Sequence, residues 1–289
     1  MRVGLVQINN SFSSQNYLPL SVGMLQAYAE ANLPPDDYEF LLPIYKRIPV
    51  DDAVEQLKGA HIVFFSVYVW GYRISLEIAR RLKEKQPFVQ IVFGGPHVPD
   101  HAEVFLREHR FVDVACHGEG EQPFLGLLRG DTDVPGTSYL AFTENPAEEY
   151  VAFHTNQKPA RIADLGIVPS PYLTGVFEPL MRANPYENWI ALWETNRGCP
   201  FSCTFCDWGS AVQAKVHNYG MDRLKNEIQW FAQHRIEFLF CCDANFGIMK
   251  RDVELAEHIA HVKQWTSYPH AMSVQNTKNA TEQAYLTQK

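Results

Sequence analysis

The sequence predicts an α/β protein made of two successive units in which short apolar strands alternate with helices. Five apolar segments between residues 2 and 128 are separated by segments with helical spacing, which is typical of a doubly wound, Rossmann-like parallel sheet. A second alternating unit begins near residue 188, just before three closely spaced cysteines. The length of 289 residues suits two domains of ordinary size.

The elements of the first unit follow from its hydrophobic pattern. Asp51 and Asp52 would occupy the first turn of a helix, where the helix dipole favours carboxylates. Ile74, Ile78 and Leu82 lie at helical spacing on one face of another. Strands are predicted at residues 2–8, 38–44, 61–67, 89–93 and 111–116, and helices at residues 19–32, 50–58, 72–85, 102–109 and 121–128.

The second unit repeats this alternation after a connector rich in proline. Residues 131–187 contain seven prolines and predict little regular structure, apart from room for a short hairpin. Strands are predicted at residues 189–195, 236–242 and 270–274, and helices at residues 222–234, 251–265 and from 281 onward. The predicted domains are therefore residues 1–130 and 188–289, joined by the connector 131–187.

Composition and charge exclude several functional classes. The chain is 46% hydrophobic and 20% charged, and its net charge of −8 includes no basic block. These values argue against long disorder and against a nucleic-acid or anionic-membrane surface. The longest apolar run, near residues 62–70, is about half of a membrane span, and the first nine residues lack signal-peptide features. We expect a cytoplasmic protein without nucleic-acid or membrane partners.

Three of the six cysteines form the strongest chemical signal. Cys199, Cys203 and Cys206 follow a predicted strand at spacings that let three thiolates face one point. Three protein ligands suit a four-iron cluster in which one iron lacks a protein ligand. A zinc site is the alternative, with His217 or the Cys241–Cys242 pair supplying the fourth ligand. Cys241 and Cys242 are better interpreted as buried structural thiols.

At these residues the sequence resembles the radical S-adenosylmethionine (SAM) superfamily. The CxxxCxxC pattern, with the aromatic Phe205 before its last cysteine, is the hallmark of that superfamily. The resemblance implies a [4Fe–4S] cluster on the three cysteines, with SAM on its fourth iron. SAM contacts are predicted for Phe205 and, from their place after the next strand, for Asp243 and Asn245. Gln275, after the third strand, is predicted to contact SAM or substrate, with a solvated loop as its alternative. The segment 241–247 departs from the Gly-Gly-Glu motif of the superfamily, and Asp243 and Asn245 have loop and helix capping as an alternative role.

Polar and glycine-rich segments follow the strands of the first unit, where parallel sheets bind ligands. A nicotinamide cofactor is excluded, because residues 6–12 contain no glycine for a G-x-G-x-x-G motif. Together these segments resemble the cobalamin-binding domain of cobalamin-dependent radical SAM enzymes. By that resemblance, the cobalamin contacts are Asn9, Ser66, Tyr68, Trp70, Gly94, Gly95, His97, Gly118, Glu119 and Gly120.

Two of these contacts have alternatives. His97 is a poor candidate for a cobalt ligand and is better interpreted as a hydrogen-bonding residue of its loop. Trp70 has a core or interdomain aromatic role as its alternative. No Asp-x-His-x-x-Gly motif is present, so the resemblance implies cobalamin without a histidine on its lower face.

The whole resemblance implies a C-methyltransferase that uses methylcobalamin and a 5′-deoxyadenosyl radical from SAM. Its substrate would be a small-molecule or peptide natural-product precursor, and an external electron donor would be a partner. A ring-forming or rearranging enzyme of the same family is one alternative, and an inactive, truncated cobalamin-binding module is another. The second unit is predicted to be the first half of a radical SAM βα barrel. We expect the open edge of its sheet to be covered by missing carboxyl-terminal sequence or a second subunit.

Overall fold

A computed structural model of the chain describes residues 1–141, 152–201, 203–204, 206, 215–277 and 281–288. The chain divides into two compact units. The first consists of Met1–Ser11 and Ser21–Ile162, and the second of Phe12–Leu20 and Ala163–Lys289. The proline-rich connector predicted over 131–187 is therefore shared between the two units.

The described strands are, in chain order, β1 (Arg2–Asn9), β2 (Asn16–Tyr17), β3 (Glu39–Phe40), β4 (Ile44–Lys46), β5 (Ile62–Ser66), β6 (Gln90–Gly94), β7 (Val114–Cys116), β8 (Thr137–Ala141), β9 (Ala152–Thr155), β10 (Trp189–Trp193), β11 (Asn196–Arg197), β12 (His217–Asn218), β13 (Phe238–Cys241) and β14 (Ala271–Ser273). The described α-helices are α1 (Leu20–Glu30), α2 (Val50–Gln56), α3 (Tyr72–Lys85), α4 (Glu103–Glu108), α5 (Glu121–Arg129), α6 (Glu178–Ala183), α7 (Met221–Gln233), α8 (Lys250–Thr266) and α9 (Glu282–Leu286).

The sheet of the first unit has the order β3-β1-β5-β6-β7-β8-β9, and β4 also pairs with β1. Strands β1, β5, β6 and β7 run parallel, as the sequence predicts. In β1, every residue after Arg2 is buried, because helices cover both faces of such a sheet. The carboxyl ends of these four strands therefore lie along one edge.

The far side of this sheet is antiparallel and is formed by a short hairpin, for which the sequence left room within the connector, although its pairing with β7 was not predicted. Strand β8 pairs antiparallel with β7, and β9 pairs antiparallel with β8. Both strands come from the stretch that was predicted to be a connector. A hairpin of mixed polarity at a sheet edge has no long apolar run, so its pairing is decided by its neighbours rather than by its own pattern.

Helix α3 shows how the sequence pattern becomes packing in the first unit. Ile78, Ala79 and Leu82 are fully buried and belong to the same apolar cluster as Val6 and Phe93. Burying a side chain of this size contributes roughly 1.5–3 kcal/mol. The helix thus fixes the position of the strands whose ends carry the predicted ligand contacts.

The second unit contains a parallel sheet with the order β14-β13-β10-β2. Strand β2 comes from the segment that follows β1, which the sequence analysis had interpreted only as a loop after the first strand. Asn16 and Tyr17 instead pair with Trp189 and Ile190 of β10. A strand of two residues, paired with a partner about 170 positions away, leaves no pattern that single-sequence reasoning can detect.

None of the described helices is both long enough and apolar enough to cross a membrane.

Candidate functional site

The predicted cobalamin contacts lie at the carboxyl-terminal edge of the first sheet. Asn9, Ser66 and Gly94 are the last residues of β1, β5 and β6, and the glycine-rich segment 118–120 follows β7. Because these strands are parallel neighbours, the structure brings their four ends to one edge. The sheet of the first unit therefore has the arrangement found in parallel sheets that bind ligands at the carboxyl ends of their strands.

The turn after β6 requires glycine. Gly95 has a φ of +101°, and a Cβ atom there would lie 2.8 Å from the Val67 nitrogen and 2.9 Å from its oxygen. The Val67 N–H donates to the Gly94 oxygen at 2.7 Å, and the Val67 oxygen accepts from the His97 N–H at 3.1 Å. The absence of a side chain lets the segments after β5 and β6 pack in direct backbone contact.

The aromatic residues after β5 form an ordered pair. The Tyr68 and Trp70 rings stack with their centroids 4.9 Å apart and their planes 11° from parallel. The Tyr68 hydroxyl shares a hydrogen bond with Ser21 Oγ at 2.9 Å, and the Arg47 guanidinium donates to the Trp70 carbonyl. Trp70 is 41% exposed, so it is not a core residue of the first unit. The pair presents a flat apolar face beside the strand ends.

Asn9 and His97 differ in how the structure uses their side chains. Asn9 is buried, and its Nδ2 finds no acceptor among the described residues. A buried donor without an acceptor is costly unless a ligand or water satisfies it. The His97 ring instead contacts the Tyr72 ring edge-on, with centroids 4.5 Å apart.

The glycine-rich segment after β7 is covered by residues from the end of the first unit. Gly118 has a φ of +75°, and a Cβ atom there would lie 3.3 Å from Pro159 Cγ. Gly120 precedes α5 and faces Leu25, which a Cβ atom would approach to 3.1 Å.

Glu119 holds the covering segment in place. Its Oε2 accepts the Ile162 N–H at 2.7 Å, and its Oε1 lies 3.6 Å from Arg161 Nε. We name residues 159–162 the connector strap. The carboxylate predicted to contact cobalamin is therefore engaged with the strap in this structure.

The second candidate site begins at the end of β10 with a loop whose base is closed by a short strand pair. Strand β11 pairs antiparallel with β12, and Gly198 follows β11 directly with a φ of +119°. A Cβ atom at Gly198 would overlap the Lys215 carbonyl oxygen. Glycine is therefore required for the two ends of the cysteine loop to meet.

Asp243 anchors this base from the end of β13. Its Oδ1 accepts the Thr195 N–H at 2.8 Å and the Asn196 N–H at 3.2 Å. Its Oδ2 accepts from the Thr195 hydroxyl and from Asn196 Nδ2, the latter at 2.8 Å. Burial raises the pKa of Asp243 to about 6, against the opposite effect of these hydrogen bonds. In this structure the carboxylate anchors the base of the loop. This corresponds to the loop-capping alternative given above rather than to a SAM contact.

Arg251 of α8 supports the same base, and the sequence analysis did not single it out. Its Nη1 donates to the Tyr219 carbonyl at 2.8 Å and its Nη2 to the Thr195 carbonyl at 3.3 Å. Thr195 and Asn196 were also missed, because buried polar residues at a strand end resemble ordinary loop residues in sequence. Their position in the sequence could have identified them as site residues, because Thr195 and Asn196 lie between an apolar strand and the three cysteines.

Asn245 links the β13 end to the first cysteine. Its Nδ2 donates to Cys199 Sγ at 3.1 Å, and both residues are buried. Its Oδ1 is also buried and has no donor among the described residues. The amide therefore contacts a predicted cluster ligand and keeps one acceptor available.

Gln275 and Thr277 follow β14 at the same edge. The Gln275 carbonyl accepts the Phe246 N–H at 2.8 Å, and the Phe246 carbonyl accepts the Thr277 N–H at 3.2 Å. The Gln275 side chain is exposed. Thr277 is buried, and its Oγ1 lacks a partner among the described residues. Phe205 lies outside the described residues.

As far as the structure describes the chain, the three motif cysteines form no disulfide, and the Cys206 N–H donates to the Cys203 carbonyl at 3.1 Å. Within the part of the chain that the structure describes, no three Cys, His, Asp or Glu side chains gather closely enough to hold an ion. His217, considered for zinc, shares a hydrogen bond with the Ala163 carbonyl through Nδ1 at 2.8 Å. The geometry alone thus assembles neither the cluster nor a zinc site.

Cys241, the last residue of β13, and Cys242, directly after it, fit the interpretation as structural thiols. Cys241 is completely buried, and burial raises the pKa of its thiol well above its usual value. Burial likewise raises the pKa of the Cys242 thiol. Both thiols remain protonated at neutral pH, which is typical of buried structural cysteines.

Comparison with known proteins matches residues 19–128 to the B12 binding domain family. Over 283 residues, or 93% of this chain, the sequence is 39% identical to the cobalamin-dependent radical SAM methyltransferase TokK of Streptomyces tokunonensis. It is equally similar to 2-(S-pantetheinyl)-carbapenam-3-carboxylate methyltransferase of Streptantibioticus cattleyicolor. The chain spans 40% of the length of each relative.

A solved structure of the cobalamin-dependent S-adenosylmethionine radical enzyme OxsB, with aqua-cobalamin and SAM bound, has the same fold. It matches with a TM-score of 0.66 at 18% identity and covers 91% of this chain and 37% of that one. The match to the B12 binding domain family thus lies almost entirely within the first unit, and the fold agrees with the expected α/β architecture.

Proposed function

Since this chain carries a B12-binding domain and is homologous over 93% of its length to a cobalamin-dependent radical SAM methyltransferase, we propose that it methylates carbon with cobalamin, SAM and a [4Fe–4S] cluster. The proposal rests on one observation. The same chain contains the polar and glycine-rich strand ends that resemble a cobalamin site and the three-cysteine motif that resembles a cluster site. The four parallel strand ends of the first unit and the three-cysteine loop of the second are independent signals. Their coincidence in the expected order supports a single cofactor system.

The donor set of the second unit fits a cluster by its chemistry. Thiolates are the ligands that iron–sulfur clusters take, and among the described residues no disulfide engages Cys199, Cys203 or Cys206. Asn245 supplies an N–H donor to one of the three sulfurs. Bound together, the cluster and SAM supply a 5′-deoxyadenosyl radical, and cobalamin supplies the methyl group. The protein contributes ligands, orientation and exclusion of water.

The edge of the first sheet fits a large planar cofactor. Gly95 keeps the segments after β5 and β6 in direct backbone contact at this edge, and the Tyr68–Trp70 pair offers an apolar face. Asn9 Nδ2, which has no acceptor among the described residues, supplies a buried donor of the kind that the amide side chains of a corrin can satisfy. By this proposal, Ser66, Gly94, His97, Gly118 and Gly120 line the same site.

The substrate we propose is a small-molecule natural-product precursor, with an external electron donor as partner. This choice is supported by the carbapenam substrate in the name of one relative. A peptide precursor remains the second substrate class.

Anaerobic reconstitution tests the cofactor set. The chain is incubated with iron, sulfide and hydroxocobalamin, desalted, and examined by visible absorbance and metal analysis. We expect both a cluster chromophore and bound corrinoid, and replacement of all three motif cysteines by alanine should remove only the cluster. The absence of both signals from the unaltered chain would overturn the proposal.

Methylation is separated from ring formation or rearrangement by isotope transfer. With SAM labelled on its methyl carbon, a methyltransferase moves the label into product, whereas a non-methylating family member releases 5′-deoxyadenosine without labelled product. The test is run on this chain and on a longer version with the length of its relatives.

A cobalamin-binding module without turnover of its own is the second candidate function. It is favoured by the family match, which covers residues 19–128 and so the proposed cobalamin site but not the cysteine loop. We further propose that the outer edge of β14 is covered by additional sequence or a second subunit, because an unpaired parallel edge exposes backbone groups. Cobalamin binding without SAM cleavage, restored in a longer version, would support this second candidate.

A further inference from the structure

The contact between Asn245 and Cys199 combines three observations. The amide nitrogen lies 3.1 Å from the sulfur, and Asn245 and Cys199 are only 5% and 6% exposed. The other end of the same amide, Oδ1, is buried and has no donor among the described residues. An amide whose nitrogen is directed at sulfur and whose oxygen is left without a partner is not explained by packing alone.

This contact is separate from the anchoring network at the base of the loop. Asp243 makes its hydrogen bonds to Thr195 and Asn196, before the first cysteine. The base can therefore be held without Asn245. The Asn245 side chain acts on the cysteine itself, three residues beyond the last contact of Asp243.

We propose that Asn245 is a positioning residue that tunes the cluster through its N–H···Sγ hydrogen bond to Cys199. This inference rests on the proposed function, because it requires a cluster on the three cysteines. It goes beyond the predicted SAM contact, since it concerns the amide nitrogen rather than the available oxygen.

The physical consequence is a change in reduction potential. Hydrogen bonds to cluster sulfurs favour the more negative, reduced state and so raise the potential. A single buried hydrogen bond contributes a net free energy of about 1 kcal/mol, which corresponds to about a fivefold change in an equilibrium constant. Loss of the Asn245 donor should therefore lower the equilibrium constant for cluster reduction about fivefold.

Redox titration of the reconstituted chain, followed by electron paramagnetic resonance without SAM, tests this inference. Asn245→Leu and Asn245→Ala both remove the N–H donor without adding a charge beside the cluster, and they differ in how much of the side-chain volume they keep. Asn188→Leu, at an exposed position just before β10, is the matched control. We expect a lower potential in both Asn245 variants and no change in the control.

The outcomes separate this inference from the proposed function. If no form of the chain binds a cluster, the proposed function itself fails. If Asn245→Leu binds a cluster with unchanged potential, the inference is wrong and the proposed function stands. If Asn245→Leu does not bind a cluster, the potential of Asn245→Ala decides between these outcomes in the same way. Loss of the cluster from both variants in a folded chain would show a holding role and overturn the tuning role.

Discussion

Single residues at the two candidate sites have different roles although sequence reasoning grouped them. Asp243 and Asn245 stand two positions apart and were both predicted to contact SAM. The structure engages Asp243 in four hydrogen bonds to the loop base, and it directs Asn245 at Cys199. Both residues lie beyond Cys241, the last residue of β13, so no strand periodicity fixes the directions of their side chains, and they reach different partners.

The raised pKa of Asp243 predicts a pH-dependent stability. The buried carboxyl has a pKa of about 6, compared with the ordinary 3.8 that it regains on unfolding. The folded state therefore binds the proton more tightly, and its stability falls as the pH rises from about 4 to about 6. The loss is about 3 kcal/mol, since each pKa unit corresponds to about 1.4 kcal/mol.

Denaturant unfolding of the chain and of Asp243→Asn, measured across this pH range, checks the prediction. The amide does not titrate, so the variant should show a flatter profile over the same interval. Parallel pH profiles of the two proteins would contradict it.

Gly198 is the residue on which closure of the cysteine loop depends. We expect Gly198→Ala to cost about 3 kcal/mol, because its φ is unfavourable for alanine and the new Cβ overlaps a carbonyl oxygen. Gly220→Ala is the control, since Gly220 has an extended backbone and open space around its Cα. Thermal or denaturant unfolding measures the difference, and equal stability of the two variants would contradict the expectation.

At the scale of elements, the structure depends on short segments that join distant parts of each unit. Strands β11 and β12 have two residues each, yet they close the loop that carries the cysteines. The connector strap likewise covers the glycine-rich end of β7 through Glu119. Such elements have little intrinsic preference and form only when tertiary contacts hold them.

The connector strap predicts a protease-sensitive site. Trypsin cleaves after Arg161, and the nitrogen of that peptide bond belongs to Ile162, whose N–H is held by Glu119. Glu119→Ala should accelerate cleavage about fivefold, because loss of about 1 kcal/mol increases the open population by that factor. The product is identified by mass spectrometry.

Glu103→Ala is the control for this experiment, because Glu103 pairs only with Arg107 on its own helix among the contacts described. Glu119→Gln should be intermediate, since it keeps an acceptor for Ile162 but loses its charge opposite Arg161. An unchanged cleavage rate in Glu119→Ala would show that the strap is held by other contacts.

At the scale of the whole molecule, the first unit presents two opposite sheet edges with different expected roles. The carboxyl-terminal edge carries the proposed cobalamin contacts. The opposite edge has a cleft of about 810 Å³, lined in part by Lys83, Arg110 and Asp133. Both edges belong to the same strands, so the effect of cobalamin on one edge can be compared with its effect on the other in a single experiment.

Hydrogen exchange with and without hydroxocobalamin should distinguish these edges. We expect the largest gain in protection in peptides that cover residues 66–71, 94–98 and 117–120. Peptides around residues 110–113 and 131–134 should change little. Equal protection at both edges would argue against the assigned site.

The sequence by itself determined the alternation of strands and helices, the cysteine motif and the glycine-rich strand ends. These features are local, because hydrophobic period, motif spacing and turn residues are properties of neighbouring positions. The central strands β1, β5, β6 and β7 and the helices between them follow that pattern closely.

Only the tertiary structure decided that β2 joins the second sheet and that Glu119 holds the strap. It also decided that Asp243 anchors the loop base, while Asn245 contacts Cys199. Each of these depends on a partner that is remote in sequence, chosen by burial and by the need to satisfy buried polar groups. Local patterns specify which segments become elements, but they do not encode which side chains meet when those elements pack.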